Sequence, residues 1–231
     1  MKKYKVLAVL LCITLAAVSF GCGRHRSDGE ASTDGAVPSG ITERQTDEYN
    51  IKNSIEEMTR LEASRENRIA ASDQEEFNSA IADKTSSGVL LRTSERTTVT
   101  VKGGHAGKTV TVNAPAGCVV SESENVSFVL EQTGTGGLIT DAKASSVYVK
   151  GENIPLTLKA GADAIYITGK NCTAIFKDGE YPSVTVLNVT AVLTNLTQND
   201  IKVTLANGST VILPPQQTYS LADDSFSKAK P

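Results

Sequence analysis

The chain has 231 residues, with 23 Lys and Arg against 26 Asp and Glu, and 39% of its residues are hydrophobic. A net charge of -3, without a basic cluster or a tryptophan, argues against nucleic acid as a partner. The chain has two histidines and no Cys-x-x-Cys, His-Glu-x-x-His or Gly-x-Ser-x-Gly motif, so we expect no enzyme activity, metal ion or cofactor.

The N-terminal segment has the pattern of an export signal. Three lysines near Met1 precede an apolar run over 6–20, shorter than the about 20 residues that cross a bilayer. The following Ser19-Phe20-Gly21-Cys22 resembles the lipobox of bacterial lipoprotein precursors, although Phe20 departs from the small residue usual there. The resemblance implies a signal peptide over 1–21 and a diacylated Cys22, which anchors the chain in the cell membrane on its extracytoplasmic face. Ordinary signal cleavage with a free Cys22 is the alternative.

Two segments separate this leader from the rest of the chain. Residues 22–40 are rich in Gly, Ser, Asp and Ala, which predicts a flexible tether because such a composition buries little apolar surface. Residues 41–82 predict an amphipathic helical segment, which a second capping box divides into two helices. We expect it to cover the first coil or one flank of the next domain, with partner binding as the alternative. The capping boxes are Thr42 with Gln45 and Ser72 with Glu75, and the apolar positions are Ile51, Ile55, Met58, Leu61 and Ile69.

Short β-rich triplets then recur about every 18 to 19 residues in two interleaved series. This period predicts a mainly β fold over 83–213, a parallel β-helix (solenoid) of about six coils in which each strand pairs with the strand one repeat away. Over 89–213 the pattern resembles small bacterial right-handed β-helices. One series begins at Val110, Phe128, Val147, Ile165, Val184 and Ile201, and the other at Val119, Leu138, Leu156, Ile175, Val192 and Val211.

Turn residues leave a second architecture open. Asn207-Gly208 is typical of a hairpin, which favours an antiparallel meander or sandwich locally. The regular period favours the β-helix, because hairpins do not make every second strand alike. Val99 lies only 11 residues before Val110, which predicts an irregular first turn. Pro214-Pro215 predicts the end of the last strand, and 214–231 a cap with a frayed polar tail from residue 222 onward.

Two cysteines, Cys118 and Cys172, lie within the repeats. The period places them three coils apart, about 14 Å at the strand spacing of about 4.8 Å. A disulfide requires Cα atoms within about 7 Å. We therefore expect two unpaired, largely buried thiols.

The period also aligns a column of outward side chains that includes Tyr148 and Tyr166. Tyr148, Tyr166 and Thr185 are the candidate ligand-binding residues, because an exposed aromatic pair beside hydroxyls can stack on sugar rings. Alternatively, the tyrosines stack on one another or lie beneath the helical segment. The second strands carry apolar residues on both faces, which predicts that the helix or a partner covers one outer surface. The column comprises Thr111, Val129, Tyr148, Tyr166, Thr185 and Lys202.

Carbohydrate-cleaving β-helices are similar in architecture, but they gather catalytic residues in clefts built from long loops. Here Asp141, Glu152 and Asp163 are scattered over short corners, which favours solvated turns. The sequence thus favours a membrane-anchored surface lipoprotein that acts as a non-catalytic scaffold or binding module in the bacterial envelope. A carbohydrate-binding protein that uses an exposed Tyr/Thr face is the second hypothesis, and an enzyme acting on envelope polysaccharide is the third. Expected partners are the membrane through the lipid, a glycan or an envelope protein, and further copies of the chain.

Overall fold

A computed structural model describes residues 43–93, 97–114, 117–131 and 136–230, which form two α-helices and two β-sheets. Cys22, the predicted signal peptide and tether, and Thr42 lie outside the described residues. Sheet A contains, in spatial order, β1 (Arg68–Ala71), β2 (Gly88–Leu91), β4 (Thr109–Val112), β6 (Ser127–Leu130), β8 (Ala144–Val149), β10 (Ala162–Ile167), β12 (Val184–Val186), β14 (Ile201–Leu205) and β15 (Thr210–Leu213). Sheet B contains β3 (Thr98–Val101), β5 (Cys118–Ser121), β7 (Gly137–Thr140), β9 (Pro155–Leu158), β11 (Thr173–Phe176), β13 (Val192–Asn195), β16 (Gln217–Ser220) and β17 (Ser225–Lys228).

From β2 to β14 the chain alternates between the sheets, and each strand pairs in parallel with the strand one coil away. Val110 lies beside Phe128, for example, and Val147 beside Ile165. The predicted parallel β-helix is therefore confirmed, with about seven turns instead of six. The prediction that Val99 belongs to an irregular first turn is wrong, since β3 pairs with β5 in regular register.

The core lies between the two sheets and consists of columns of inward side chains. Strand alternation directs every second residue inward, and parallel pairing stacks each inward residue on its counterpart one coil away. Apolar residues fill these columns, as the triplets predict. Those of sheet A include Val89, Val110, Phe128, Val147, Ile165, Val184 and Val203, and those of sheet B include Val99, Val119, Leu138, Leu156, Ala174 and Leu193, all buried.

Three registers differ from the prediction. Leu156 pairs with Ala174 and Ala174 with Leu193, so Ala174 and Leu193 face the core in place of Ile175 and Val192. Val184 pairs with Val203, so Ile201 does not continue its column. A shift of one residue exchanges the two faces of a strand. By hydrophobicity alone, Ile175 is assigned to the core in place of the smaller Ala174. The small Ala174 fits because Phe176 and Tyr181 fill the adjoining core, with ring centroids 4.8 Å apart.

The N-terminal region is helical only in part. Helix α1 (Glu43–Ala63) and a short 3-10 helix (Ser64–Asn67) precede β1, and helix α2 (Gln74–Ala82) follows it. Ile69 therefore lies in a strand, and the solenoid begins at Arg68 instead of residue 83. Neither described α-helix contains an apolar stretch of membrane-spanning length.

Helix α2 closes the first coil. Its N-cap is Asp73, one residue after the predicted Ser72, and its Glu76 side chain accepts hydrogen bonds from the Ser72 backbone and hydroxyl groups. The Gln74 side chain accepts a hydrogen bond from the Thr100 backbone N–H and donates one to the Thr100 carbonyl, at 2.7 and 3.1 Å. An amide side chain thus occupies the open edge of β3, which would otherwise offer unpaired backbone groups. The prediction that the helical segment covers the first coil is confirmed.

Antiparallel strands close the other end. The predicted hairpin turn at Asn207-Gly208 joins β14 to β15, so Val211 belongs to sheet A and does not continue the second series. β15 ends at Leu213, directly before Pro214-Pro215 as predicted. The tail is not frayed, because β17 pairs with β16 and Phe226 stacks on Tyr219 with centroids 4.7 Å apart.

Corners between strands depend on small residues and side-chain hydrogen bonds. Asn188, Asn195 and Asn207 each accept two hydrogen bonds from the Thr or Ser two residues later, one from its backbone and one from its hydroxyl. Such turns account for these Asn-x-Ser/Thr triplets as corner motifs. At another corner, a Cβ on Gly169 would lie 1.9 Å from the carbonyl oxygen of Gly151, one coil away. Stacked corners thus require glycine where two backbones touch.

We expect Gly169→Ala to lower the free energy of unfolding by about 1–3 kcal/mol, because either the corner or the adjacent coil must shift. Gly104→Ala is the control, since an added Cβ there would meet nothing within 4 Å. Urea unfolding followed by circular dichroism measures both. Equal midpoints for the two variants would contradict the proposed coil contact.

Candidate functional site

The predicted outward column on sheet A exists, but it is covered. Pairing brings Thr111, Val129, Tyr148, Tyr166 and Thr185 side by side in consecutive strands. The next member is Thr204 instead of Lys202, because the register of β14 differs from the prediction. Tyr148 and Tyr166 are only 8% and 5% exposed, and Thr185 is buried.

Helix α1 covers this column. Met58 and Leu61 form an apolar cluster with Val129, Tyr148 and Tyr166. The expectation of an exposed aromatic pair is therefore wrong, and the alternative that the tyrosines lie beneath the helix is confirmed. A sugar ring cannot stack on either ring while the helix is in place.

Polar contacts fix α1 at both ends of the cluster. The hydroxyl groups of Ser54 and Thr185 lie 3.1 Å apart, and Lys150 forms an ion pair with Glu62 at 2.8 Å. Beyond the end of α1, the guanidinium group of Arg68 donates hydrogen bonds to the Leu61 carbonyl and to the Thr111 hydroxyl. Burial lowers the pKa of Arg68, whereas the nearby carboxylate of Glu131 raises it. These contacts join the helix to successive coils along the solenoid.

The interface has an electrostatic consequence for Tyr166. Burial raises its pKa to about 12, and the Glu57 carboxylate adds to the rise. Arg60, whose guanidinium group lies 2.6 Å from the Glu57 carboxylate, opposes it. The hydrogen bond from Arg60 in turn lowers the pKa of Glu57. Tyr166 thus remains neutral in the folded protein at physiological pH.

Sheet B presents a different exterior. One residue from each strand forms a continuous line, here called the central strip, which consists of Thr100, Val120, Ile139, Thr157, Ile175, Thr194 and Thr218. Every member is β-branched, uncharged and half-buried. The corresponding column of sheet A is buried throughout, since α1 covers it. The helix therefore lies on the sheet opposite to the one that the apolar second strands suggested.

Charged residues line one side of the strip. Lys102 pairs with Glu122 at 3.8 Å, and Lys159 pairs with Asp141 at 2.6 Å. At the end of the solenoid near β16 and β17, the strip runs into a groove of about 330 Å³. This side of the molecule combines an apolar, hydroxyl-bearing strip with charges at its margin. In the sequence, this surface is indicated by the apolar residues on both faces of the second strands.

The described residues include two cysteines and one histidine. Cys118 and Cys172 are unpaired as predicted; Cys172 is buried and Cys118 partly exposed. Burial raises the pKa of both thiols, which lowers their reactivity. His105 lies in a loop, where its backbone N–H donates to the Ser123 hydroxyl. In the part of the chain that the structure describes, no group of three or more His, Cys, Asp or Glu could hold a metal ion.

Comparison of the chain with models of protein families, with curated proteins and with solved structures finds no match.

We expect Tyr166→Phe to reduce the loss of stability at alkaline pH. In the unfolded chain Tyr166 has the ordinary tyrosine pKa of about 10, whereas in the folded protein its pKa is raised to about 12. The neutral Tyr166 side chain therefore contributes fully to stability below about pH 10, and this contribution is lost as the pH rises through about 12. Melting temperatures of the wild type and the variant between pH 9 and 12, in roughly half-unit steps, measure this difference. Parallel decline of the two proteins would show that Tyr166 is not the group concerned.

Proposed function

We propose that the chain is a membrane-anchored surface lipoprotein of the bacterial envelope that acts as a non-catalytic binding module, with the exterior of sheet B as its binding face. The observation that carries the proposal is the contrast between the two sheet exteriors. Helix α1 seals sheet A, whereas the seven side chains of the central strip remain half-exposed.

The character of the central strip supports a binding role. An uncharged line of Thr, Val and Ile across seven strands offers both apolar contact and hydroxyl groups to an extended ligand. Each side chain lies on a strand that is held by backbone pairing to its neighbours in the sheet, so the face is preorganised and binding costs little ordering entropy. The linear shape of the strip suits an extended envelope polymer better than a compact ligand, which would need a pocket.

The sequence of the leader supports the anchor. Ser19-Phe20-Gly21-Cys22 follows an apolar run of signal length, and a lipid on Cys22 would hold the domain at the membrane surface. An anchored module with a preorganised face is suited to bind other envelope components. Self-association stays a prediction, which sedimentation of the full chain tests.

We expect Cys22→Ala to release the protein from the membrane fraction, because the lipid is attached through that side chain. Fractionation of cells that express the full chain, followed by immunoblotting, measures the distribution. An unchanged membrane fraction would refute the lipid anchor and leave the binding face unaffected.

We expect Ile139→Glu to weaken binding to purified envelope fragments about tenfold or more, because a ligand on the strip would bury an unpaired carboxylate. Ile55→Glu is the matched control, since Ile55 is 50% exposed on α1, which packs on the opposite sheet. Co-sedimentation of the full chain with the fragments measures both. Binding by the wild type that Ile139→Glu leaves intact, or no binding at all, would overturn the proposed face.

A further inference from the structure

The groove at the end of sheet B is built from the last strands of the solenoid. Its hydroxyl-bearing residues are Thr194, Thr218 and Ser227, which lie side by side on β13, β16 and β17. Ile175 and Leu196 supply aliphatic surface. Thr194 and Thr218 belong to the central strip, and their hydroxyl oxygens lie 3.0 Å apart. The groove is therefore a continuation of the strip.

Three lysines also line the groove, Lys177, Lys228 and Lys230. Among the residues that the structure describes, no carboxylate lies within 4 Å of their ammonium groups. Five lysines elsewhere on the solenoid each form an ion pair with a carboxylate of a neighbouring coil or of α1. These pairs are Lys102–Glu122, Lys143–Asp163, Lys150–Glu62, Lys159–Asp141 and Lys170–Glu152.

The positive charge at the groove is opposite in sign to that of the chain as a whole, which has a net charge of -3. Three lysines around one groove, without an ion pair to any described carboxylate, attract anions through a local positive field. The hydroxyl groups add hydrogen-bond donors and acceptors at the strand spacing of about 4.8 Å. The aliphatic walls add apolar contact.

We propose that this groove binds the anionic groups of an acidic glycan whose chain continues along the central strip. The inference rests on the proposed function and names the ligand class for the same face. An anionic membrane surface would use the lysines alone, since headgroups need only positive charge. A glycan chain also uses the hydroxyl groups and the aliphatic walls, because a sugar ring combines hydroxyl edges with apolar C–H faces.

The test measures binding of the full chain, in neutral detergent, to oligogalacturonate, a chain of uronic acids. Its methyl ester is the matched ligand that has the same chain without the charge. The combined variant Lys177→Ala, Lys228→Ala and Lys230→Ala removes the groove charges. The control Lys52→Ala, Lys84→Ala and Lys202→Ala removes three exposed lysines elsewhere and changes the net charge equally.

We expect the wild type and the control to bind oligogalacturonate, the methyl ester not to bind, and the groove variant to bind roughly tenfold or more weakly. Equal losses in both variants would show attraction by overall charge and overturn the groove. Glycerol phosphate that competes as well as the oligosaccharide, mole for mole, would point to a lipid headgroup and overturn the glycan.

Two further results separate this inference from the proposed function. A groove variant with unchanged affinity, beside an Ile139→Glu variant that loses binding to envelope fragments, overturns the groove and leaves the binding face standing. If neither variant loses binding to oligogalacturonate or to envelope fragments, both the groove and the binding face are overturned. Thermal melts of the two lysine variants show whether each is folded, and Lys177→Gln alone gives a milder replacement in the same assay.

Discussion

The structure depends on one constraint, the parallel pairing of each strand with the strand one coil away. Backbone hydrogen bonds between coils, such as Lys177 N–H to the Leu158 carbonyl at 2.8 Å, fix which residues are neighbours. Every inward residue then stacks on an inward residue, and every corner on a corner. Glycine at 169 and the separation of Cys118 from Cys172 both follow from this stacking.

The same constraint makes the two exteriors continuous lines that differ in chemistry. On sheet A, two tyrosines stand in the middle of the line, and their bulk provides a surface on which Met58 and Leu61 pack. On sheet B, the line is made of β-branched residues that are stabilised by their neighbours in adjacent coils. Since one helix can cover one flank, the aromatic line is buried and the β-branched line is left for other contacts. The proposed binding face and the groove with its lysines lie on that second line.

The sequence predicts correctly which residues face the core wherever the order of apolar and polar residues allows only one assignment. Val147-Tyr148-Val149 and Ile165-Tyr166-Ile167 fit only one assignment of inward and outward residues, and the structure has that assignment. Thr173-Ala174-Ile175-Phe176 fits two, and the volume of Phe176 and Tyr181 in the core decides between them. The polar segment Ser225–Lys228 has no strand signal of its own, and it pairs because β16 offers it an edge.

The sequence alone predicted the period and the parallel solenoid, because like strands recur every 18 to 19 residues. It also predicted the column that contains Tyr148 and Tyr166, because apolar and outward residues alternate within each strand. It also determined that a helical segment precedes the solenoid. Which sheet the helix covers, and therefore which line of side chains is accessible, depends on contacts between residues that lie far apart in the chain. By hydrophobicity alone, Met58 and Leu61 could have packed on either sheet. The sheet that α1 covers depends on the shape of the tyrosines and on the polar contacts of Ser54, Glu62 and Arg68, whose partners are distant in the sequence.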